Sequence, residues 1–197
     1  MKCAHAKIKR KKIRKEFIDN HKMPDERIAI DCTGCKTTSI GGSKLMNVKY
    51  DYGSRKLWCS VLKSKDQIVE DGLVFVEYVR CMKTRVPKYI RMDGSSDNKK
   101  FMEKCKQRYP SIIFFFTGKD TPQQNGRIEA MITMIWSQVR AMLGGAALEK
   151  YKRNKLWAEA FNTAVMVDGI VVKEGQDKCA DEKWSGEVPR WARNLNE

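Results

Sequence analysis

Arg27-Ile28-Ala29-Ile30-Asp31-Cys32 is a short apolar run that ends on a carboxylate. Its length and its β-branched residues read as a strand. Working outward, Ser39-Ile40-Gly41-Gly42-Ser43 marks a turn. Leu45 to Asp51 and Lys56 to Leu62 read as two further strands, joined at a hairpin by Tyr52-Gly53-Ser54-Arg55. Three strands in succession with short connections make an antiparallel meander.

Beyond it helix and strand alternate. A helix is expected over 66–84, with Ile68, Leu73, Val76, Val79 and Met82 on a helical stripe. Tyr89 to Met92 is a short strand that runs into Asp93. Asn98 to Tyr109 is a second helix, with Phe101, Met102 and Cys105 on one side. Ser111 to Phe116 is an apolar run short enough to be a buried strand. The best-defined helix covers 126–143, where Ile128, Ile132, Ile135, Val139 and Leu143 share one face, and Gly144-Gly145 ends it. A last helix is expected over 153–167, with Leu156, Trp157, Ala160, Phe161 and Ala164 inward. This order predicts an α/β fold: a mixed five-stranded sheet with an antiparallel three-strand meander, flanked by helices.

Three acids stand where these elements end or begin: Asp31, Asp93 and Glu129, with 35 residues between the last two. By helical geometry Glu129 lies about 100° from Ile128, at the margin of the apolar face, on a stripe with Thr133, Trp136 and Arg140. A carboxylate there points toward a cleft beside the core. Three carboxylates from two strands and a helix suit a pair of divalent cations about 3.5–4 Å apart, a constellation that serves phosphodiester chemistry. Mg²⁺ or Mn²⁺ is the expected metal, because carboxylates and water are hard oxygen ligands.

At 197 residues the chain has room for one domain with a real core, and 42% hydrophobic residues place it in the globular class. Its net charge is +15, from 39 basic and 24 acidic side chains, which points to a partner made of phosphates, nucleic acid, ahead of general solubility. No run of 18 or more apolar residues occurs, so no membrane span is expected. Seven scattered cysteines suit reduced thiols better than a disulfide framework. The basic leader Lys7-Ile8-Lys9-Arg10-Lys11-Lys12-Ile13-Arg14-Lys15 reads equally as a phosphate contact, a nuclear address or a solvated terminus.

The local words go further. Asp31-Cys32-Thr33-Gly34, Ser39-Ile40-Gly41-Gly42, Asp51-Tyr52-Gly53-Ser54-Arg55, Leu62-Lys63-Ser64-Lys65 and Arg91-Met92-Asp93-Gly94 occur in order. Thr121-Pro122-Gln123-Gln124-Asn125-Gly126 then precedes Glu129, and Leu156-Trp157-Ala158-Glu159-Ala160 and Asn162-Thr163-Ala164 follow it. Together they resemble the catalytic core of a copia-type retrotransposon integrase, of the RNase H-like superfamily. The resemblance implies a magnesium-dependent polynucleotidyl transferase and endonuclease, with Asp31, Asp93 and Glu129 as the metal-binding catalytic triad. It implies 3′-end processing and strand transfer of retrotransposon cDNA into target DNA, a homo-oligomer, and action in the nucleus. Residues 1–24 are then a basic leader left from a zinc-binding module, 25–172 the core and 173–197 a C-terminal extension. Cys3-Ala4-His5-Ala6-Lys7 resembles the end of that module, but with its upstream ligands missing no complete zinc site is expected. The sequence departs from the family pattern at Gly94-Ser95-Ser96-Asp97, at Ala130, where the family has Arg, and at Val167-Asp168-Gly169. Two alternatives stay open: a remnant that binds DNA without catalysis, and another RNase H-like nuclease or transposase.

Other residues divide between functional and structural readings. Gln124 and Asn125 either position DNA or serve as turn and N-cap. Arg127, Lys119 and Lys150 are candidate DNA-backbone contacts, or parts of a solvated face. Asp97 is the nearest rival to Asp93 but sits in a polar stretch. Asp51 reads as structural, paired with Arg55 across the turn. Cys32-Thr33-Gly34-Cys35 lies in a strand rather than at a helix start, so a redox role is disfavoured, and a zinc site there would need His5 and His21. Trp136, Trp157 and Phe161 read as core rather than base-stacking platforms.

Overall fold

The computed structural model describes residues 23–117 and 126–189. Five strands form one sheet in the order β3-β2-β1-β4-β5. β1 (Arg27–Gly34), β2 (Leu45–Asp51) and β3 (Leu57–Leu62) make the antiparallel meander. β4 (Tyr89–Asp93) lies parallel to β1, and β5 (Ile113–Thr117) parallel to β4. Helices α1 (Ile68–Lys83) and α2 (Ser96–Arg108) make the two crossovers. α3 (Gly126–Gly145), α4 (Lys150–Lys155), α5 (Trp157–Ile170) and α6 (Ala180–Ser185) follow. The mixed sheet with its meander is as expected.

Strand alternation sorts the core into two layers. Ala29, Met46, Val48 and Tyr50 pack under Ile128, Ile132, Ile135 and Val139 of α3 and Trp157, Phe161 and Ala164 of α5. Ile28, Ile30, Ile90 and Met92 face the other way, against Phe75, Val76 and Val79 of α1 and Phe101 and Cys105 of α2. Gly72 is where α1 meets α2, since a Cβ there would lie 2.7 Å from a Phe101 ring carbon. The stripes expected on α1, α2 and α3 hold, except that Met82 is exposed near the end of α1.

Four local expectations are corrected. β5 is not a buried strand but the sheet edge, with Ile113 and Phe115 45% and 43% exposed. An apolar run alone does not say how many neighbours its strand will have. Asp51 meets Arg55 only through the backbone, the Arg55 N–H donating to the Asp51 carbonyl at 2.9 Å; its carboxylate accepts from the Ser54 N–H and hydroxyl at 2.8 and 2.6 Å and from the Asp25 N–H at 3.0 Å. Arg55 instead takes a left-handed φ of 67° and is exposed. The helix expected at Asn98 starts at Ser96, with Ser95 as its N-cap. The helix expected over 153–167 is two helices, α4 and α5, separated at Leu156. In the hairpin only glycine fits at Gly53, because a Cβ would sit 2.2 Å from the Met23 carbonyl oxygen.

The chain after α5 returns to the sheet. Trp184 of α6 is buried against Trp58 of β3 and stacks on Tyr78 of α1. Its indole N–H donates to the buried Asp25 carboxylate, and Lys83 donates to its backbone carbonyl. Residues beyond α5 therefore pack against the sheet and α1. Between β2 and α1 lies a buried polar knot. Lys49, 1% exposed, pairs with Asp71 and donates to Ser60 Oγ at 2.7 Å, while Asn47 donates to the same Asp71 carboxylate at 2.6 Å. Burial pushes the Lys49 ammonium down from its ordinary range, and Asp71 opposes that.

Candidate active site

The strand register places the acids. Ala29 lies beside Arg91 in the parallel β1–β4 ladder, and two residues further along each strand come Asp31 and Asp93. Side chains two apart share a face, so Asp31 and Asp93 emerge side by side on the Ala29 face, the one that α3 covers. Glu129 stands in the first turn of α3, one residue after the fully buried Ile128. Trp136, two turns on, donates its indole N–H to Thr33 Oγ1 at 3.1 Å and so fixes α3 against the end of β1.

Asp31 is half-buried, while Asp93 and Glu129 are exposed. Burial first, then the nearby charges of Asp93 and Glu129, push the Asp31 carboxyl up to about 6. The Cys32 N–H, donating to Asp31 Oδ1 at 2.9 Å, opposes that shift. The three acids thus act on one another electrostatically, yet as placed no group of three His, Cys, Asp or Glu among the described residues is close enough to hold a metal ion. Like charges with no cation between them repel, which opposes closer approach. The donor set itself fits Mg²⁺ or Mn²⁺: all three side chains offer hard oxygens, and their mutual repulsion is what a cation would relieve.

Asp93 has a support that the sequence reading missed. Asn98 donates its amide N–H to Asp93 Oδ1 at 2.5 Å, and the Ser95 N–H reaches the same oxygen at 3.1 Å. Ser95 Oγ in turn accepts from the Asn98 N–H at 3.4 Å. The spacing Ser95-x-x-Asn98 is an N-cap signal that locates the start of α2, but not the bond from Asn98 to Asp93. Asp97, the rival acid, lies in the first turn of α2 rather than on the strand.

The remaining candidates are dispersed. Arg127 sits over the Tyr52 ring, 5.6 Å from its centre, with Arg27 5.0 Å from it as well. Lys150 opens α4 and is exposed. Lys119, Gln124 and Asn125 lie outside the described residues, as do His5 and His21. Cys32 is a free thiol that burial pushes up to about 11, so it is protonated and unreactive at neutral pH. Trp157 and Phe161 are core residues, and the half-buried Trp136 packs against both.

A mixed five-stranded sheet of this order, flanked by helices, is that of the retroviral-type integrase core, an RNase H-like fold. The chain belongs to that family, in its copia-type branch. It is 36% identical over 135 residues, 68% of its length, to the retrovirus-related Pol polyprotein from transposon TNT 1-94 of Nicotiana tabacum, and spans 10% of that polyprotein. No family model matches the chain. Among solved structures it resembles a simian T-cell lymphotropic virus intasome in complex with PP2A regulatory subunit B56 gamma, with a TM-score of 0.62 at 14% identity. That match covers 86% of this chain and 56% of the other. It also resembles the HTLV-2 integrase catalytic core domain in complex with magnesium, with a TM-score of 0.57 at 17% identity over 81% of this chain and 96% of that one. At those identities the two structures establish the fold.

Proposed function

We propose that this chain is a working integrase core: a metal-dependent polynucleotidyl transferase that trims the 3′ ends of retrotransposon cDNA and joins them to target DNA in the nucleus. The observation that carries the reading is the β1–β4 register, which sets Asp31 beside Asp93 on the face covered by the helix that bears Glu129 in its first turn. Burial and these two neighbours push the Asp31 carboxyl up to about 6, and a perturbed acid facing two others is the mark of a site rather than of a surface. Asp31, Asp93 and Glu129 would hold two Mg²⁺ or Mn²⁺ ions. When bound, the ions lower the pKa of the attacking hydroxyl or water and neutralise charge on the leaving oxygen.

The chain's own residues do the positioning. Asn98 and the Ser95 N–H hold Asp93 by Oδ1. Trp136 anchors the helix that carries Glu129. In the first step water attacks the scissile phosphorus, and the O3′–P bond to the cDNA end breaks to leave a 3′-hydroxyl. In the second, that hydroxyl attacks a target phosphorus, loses its proton and displaces the target's own O3′, so the number of phosphodiesters is unchanged. The partners in this reading are double-stranded DNA and further copies of the chain.

The test is a strand-transfer assay on short duplexes with and without Mg²⁺. Activity that needs the metal and is abolished by Glu129→Gln is the expected result. That no three His, Cys, Asp or Glu among the described residues are grouped to hold a metal ion favours a second reading, a DNA-binding remnant. That reading requires duplex binding with no joined product at any metal concentration. Nicking of an RNA–DNA hybrid in preference to duplex DNA would instead assign the chain to another nuclease of the same fold.

A further inference from the structure

Positive charge is not spread evenly over this surface. Three segments distant in sequence meet where β1 and β3 end. The loop from β1 to β2 is tied to the helices beyond it: the Ile40 N–H donates to the Lys155 carbonyl at 2.8 Å, and the Trp157 indole N–H to the Thr37 carbonyl at 2.7 Å. The same loop meets the turn that follows β3, where the Lys44 N–H donates to the Leu62 carbonyl at 3.0 Å. These segments, 35–44, 62–67 and 149–156, carry eight lysines and arginines against two acids, a net +6 of the chain's +15. Lys36, Lys44, Lys63, Lys65, Lys150 and Lys152 are all exposed. Within the three segments the described ion pairing is a single bond, Lys152 to Glu149 at 3.3 Å.

Two apolar side chains stand out in this basic field. Tyr151 is 67% exposed, with the Lys155 ammonium 4.4 Å from its ring centre, and Ile40 is also 67% exposed. Crowding like charges is costly unless a polyanion takes them up. Phosphates spaced along a backbone match lysines presented from three separate segments. A channel for single strands would instead offer several aromatic platforms in succession, whereas Tyr151 is one ring.

The place of this surface relative to the acids is set by β1. From Asp31 to Gly34 the strand advances about 10 Å at about 3.3 Å per residue. At about 3.4 Å per base pair the loop begins about three base pairs from the acids.

We propose that α4, the β1–β2 loop and the turn after β3 form a shelf for duplex DNA, gripping its phosphates at least about three base pairs from the point of reaction. The orientation of the duplex rests on the integrase reading; the shelf itself does not, because it binds without metal and without turnover. The test is duplex binding by fluorescence anisotropy in EDTA, across a salt series, with the full 197-residue chain. The triple variant Lys63→Gln, Lys150→Gln, Lys152→Gln should weaken binding. It should also flatten the slope of log K against log salt by about 2.7, since each phosphate contact contributes about 0.9. A control triple of equal charge, Lys104→Gln, Lys106→Gln, Arg108→Gln at the far end of α2, should leave the slope unchanged. Tyr151→Ala should weaken binding with no change in slope.

An unchanged slope in the shelf triple would overturn the proposal. So would an equal loss in the α2 triple, which would mean diffuse charge rather than a shelf, or a preference for single strands over duplex. A chain that binds duplex through the shelf yet joins no DNA would sink the catalytic reading and leave the shelf standing.

Discussion

Asp31→Asn should stabilise the metal-free protein, and only at pH values where Asp31 is ionised. Burial and the two neighbouring acids raise this carboxyl from 3.8 to about 6. The folded chain therefore binds the proton more tightly than the unfolded chain does. For an acid shifted upward, stability is lost as pH rises from about 4 to about 6 and is level above that. At about 1.36 kcal/mol per unit the ionised side chain withholds at most about 3 kcal/mol of folding free energy. Asparagine removes the charge and keeps an oxygen for the Cys32 N–H. Urea unfolding of both proteins in EDTA at pH 4 and pH 7.5 measures the effect. The variant should gain less than about 1 kcal/mol at pH 4 and up to about 3 kcal/mol at pH 7.5. Added Mg²⁺ should then raise the midpoint of the wild type more than that of the variant, because only the wild type offers all three carboxylates. Equal gains at both pH values, or a loss at pH 7.5, would refute the reasoning, since neither can come from a buried charge repelled by its neighbours.

Other perturbations test other links. Asp71→Leu leaves Lys49 buried without its counter-charge and should cost about 3–5 kcal/mol in urea unfolding, with much of that recovered in the double variant with Lys49→Met. Gly72→Ala drives a methyl against the Phe101 ring and should cost about 1–3 kcal/mol by the same measurement, while Gly144→Ala, with open space around it, should not destabilise. Trp184→Ala empties the site between Trp58 and Tyr78, and should cost about 3–5 kcal/mol and expose 171–179 to limited proteolysis.

Much of the site was legible because its parts are local. An apolar run leading into Asp31 and another ending on Asp93 each state a strand, though β1 continues past Asp31 to Gly34. Ile128, Ile132, Ile135 and Val139 state a helix and which side of it Glu129 flanks. Asn98 was not legible as a partner of Asp93, although its N-cap spacing was. The hydrogen bond depends on how the turn of 94–95 folds back on the strand. The exposure of Ile113 and Phe115 within Ser111 to Phe116 has a related cause: periodicity reports which faces are apolar, and the number of strands alongside is set by topology.

The amino-acid sequence by itself determined the five strands, the first three helices, their order, the three acids and the basic excess, because hydrophobic period, turn chemistry and charge are properties of neighbouring residues. Only the tertiary structure decided which residues face one another. It set Asp31 level with Asp93 and brought Lys49 against Asp71. It returned Trp184 to Asp25 and gathered the lysines of three distant segments at one end of the sheet. Those outcomes depend on strand register and on the path of the connections, which place residues tens of positions apart within a few ångströms. No local pattern carries that information.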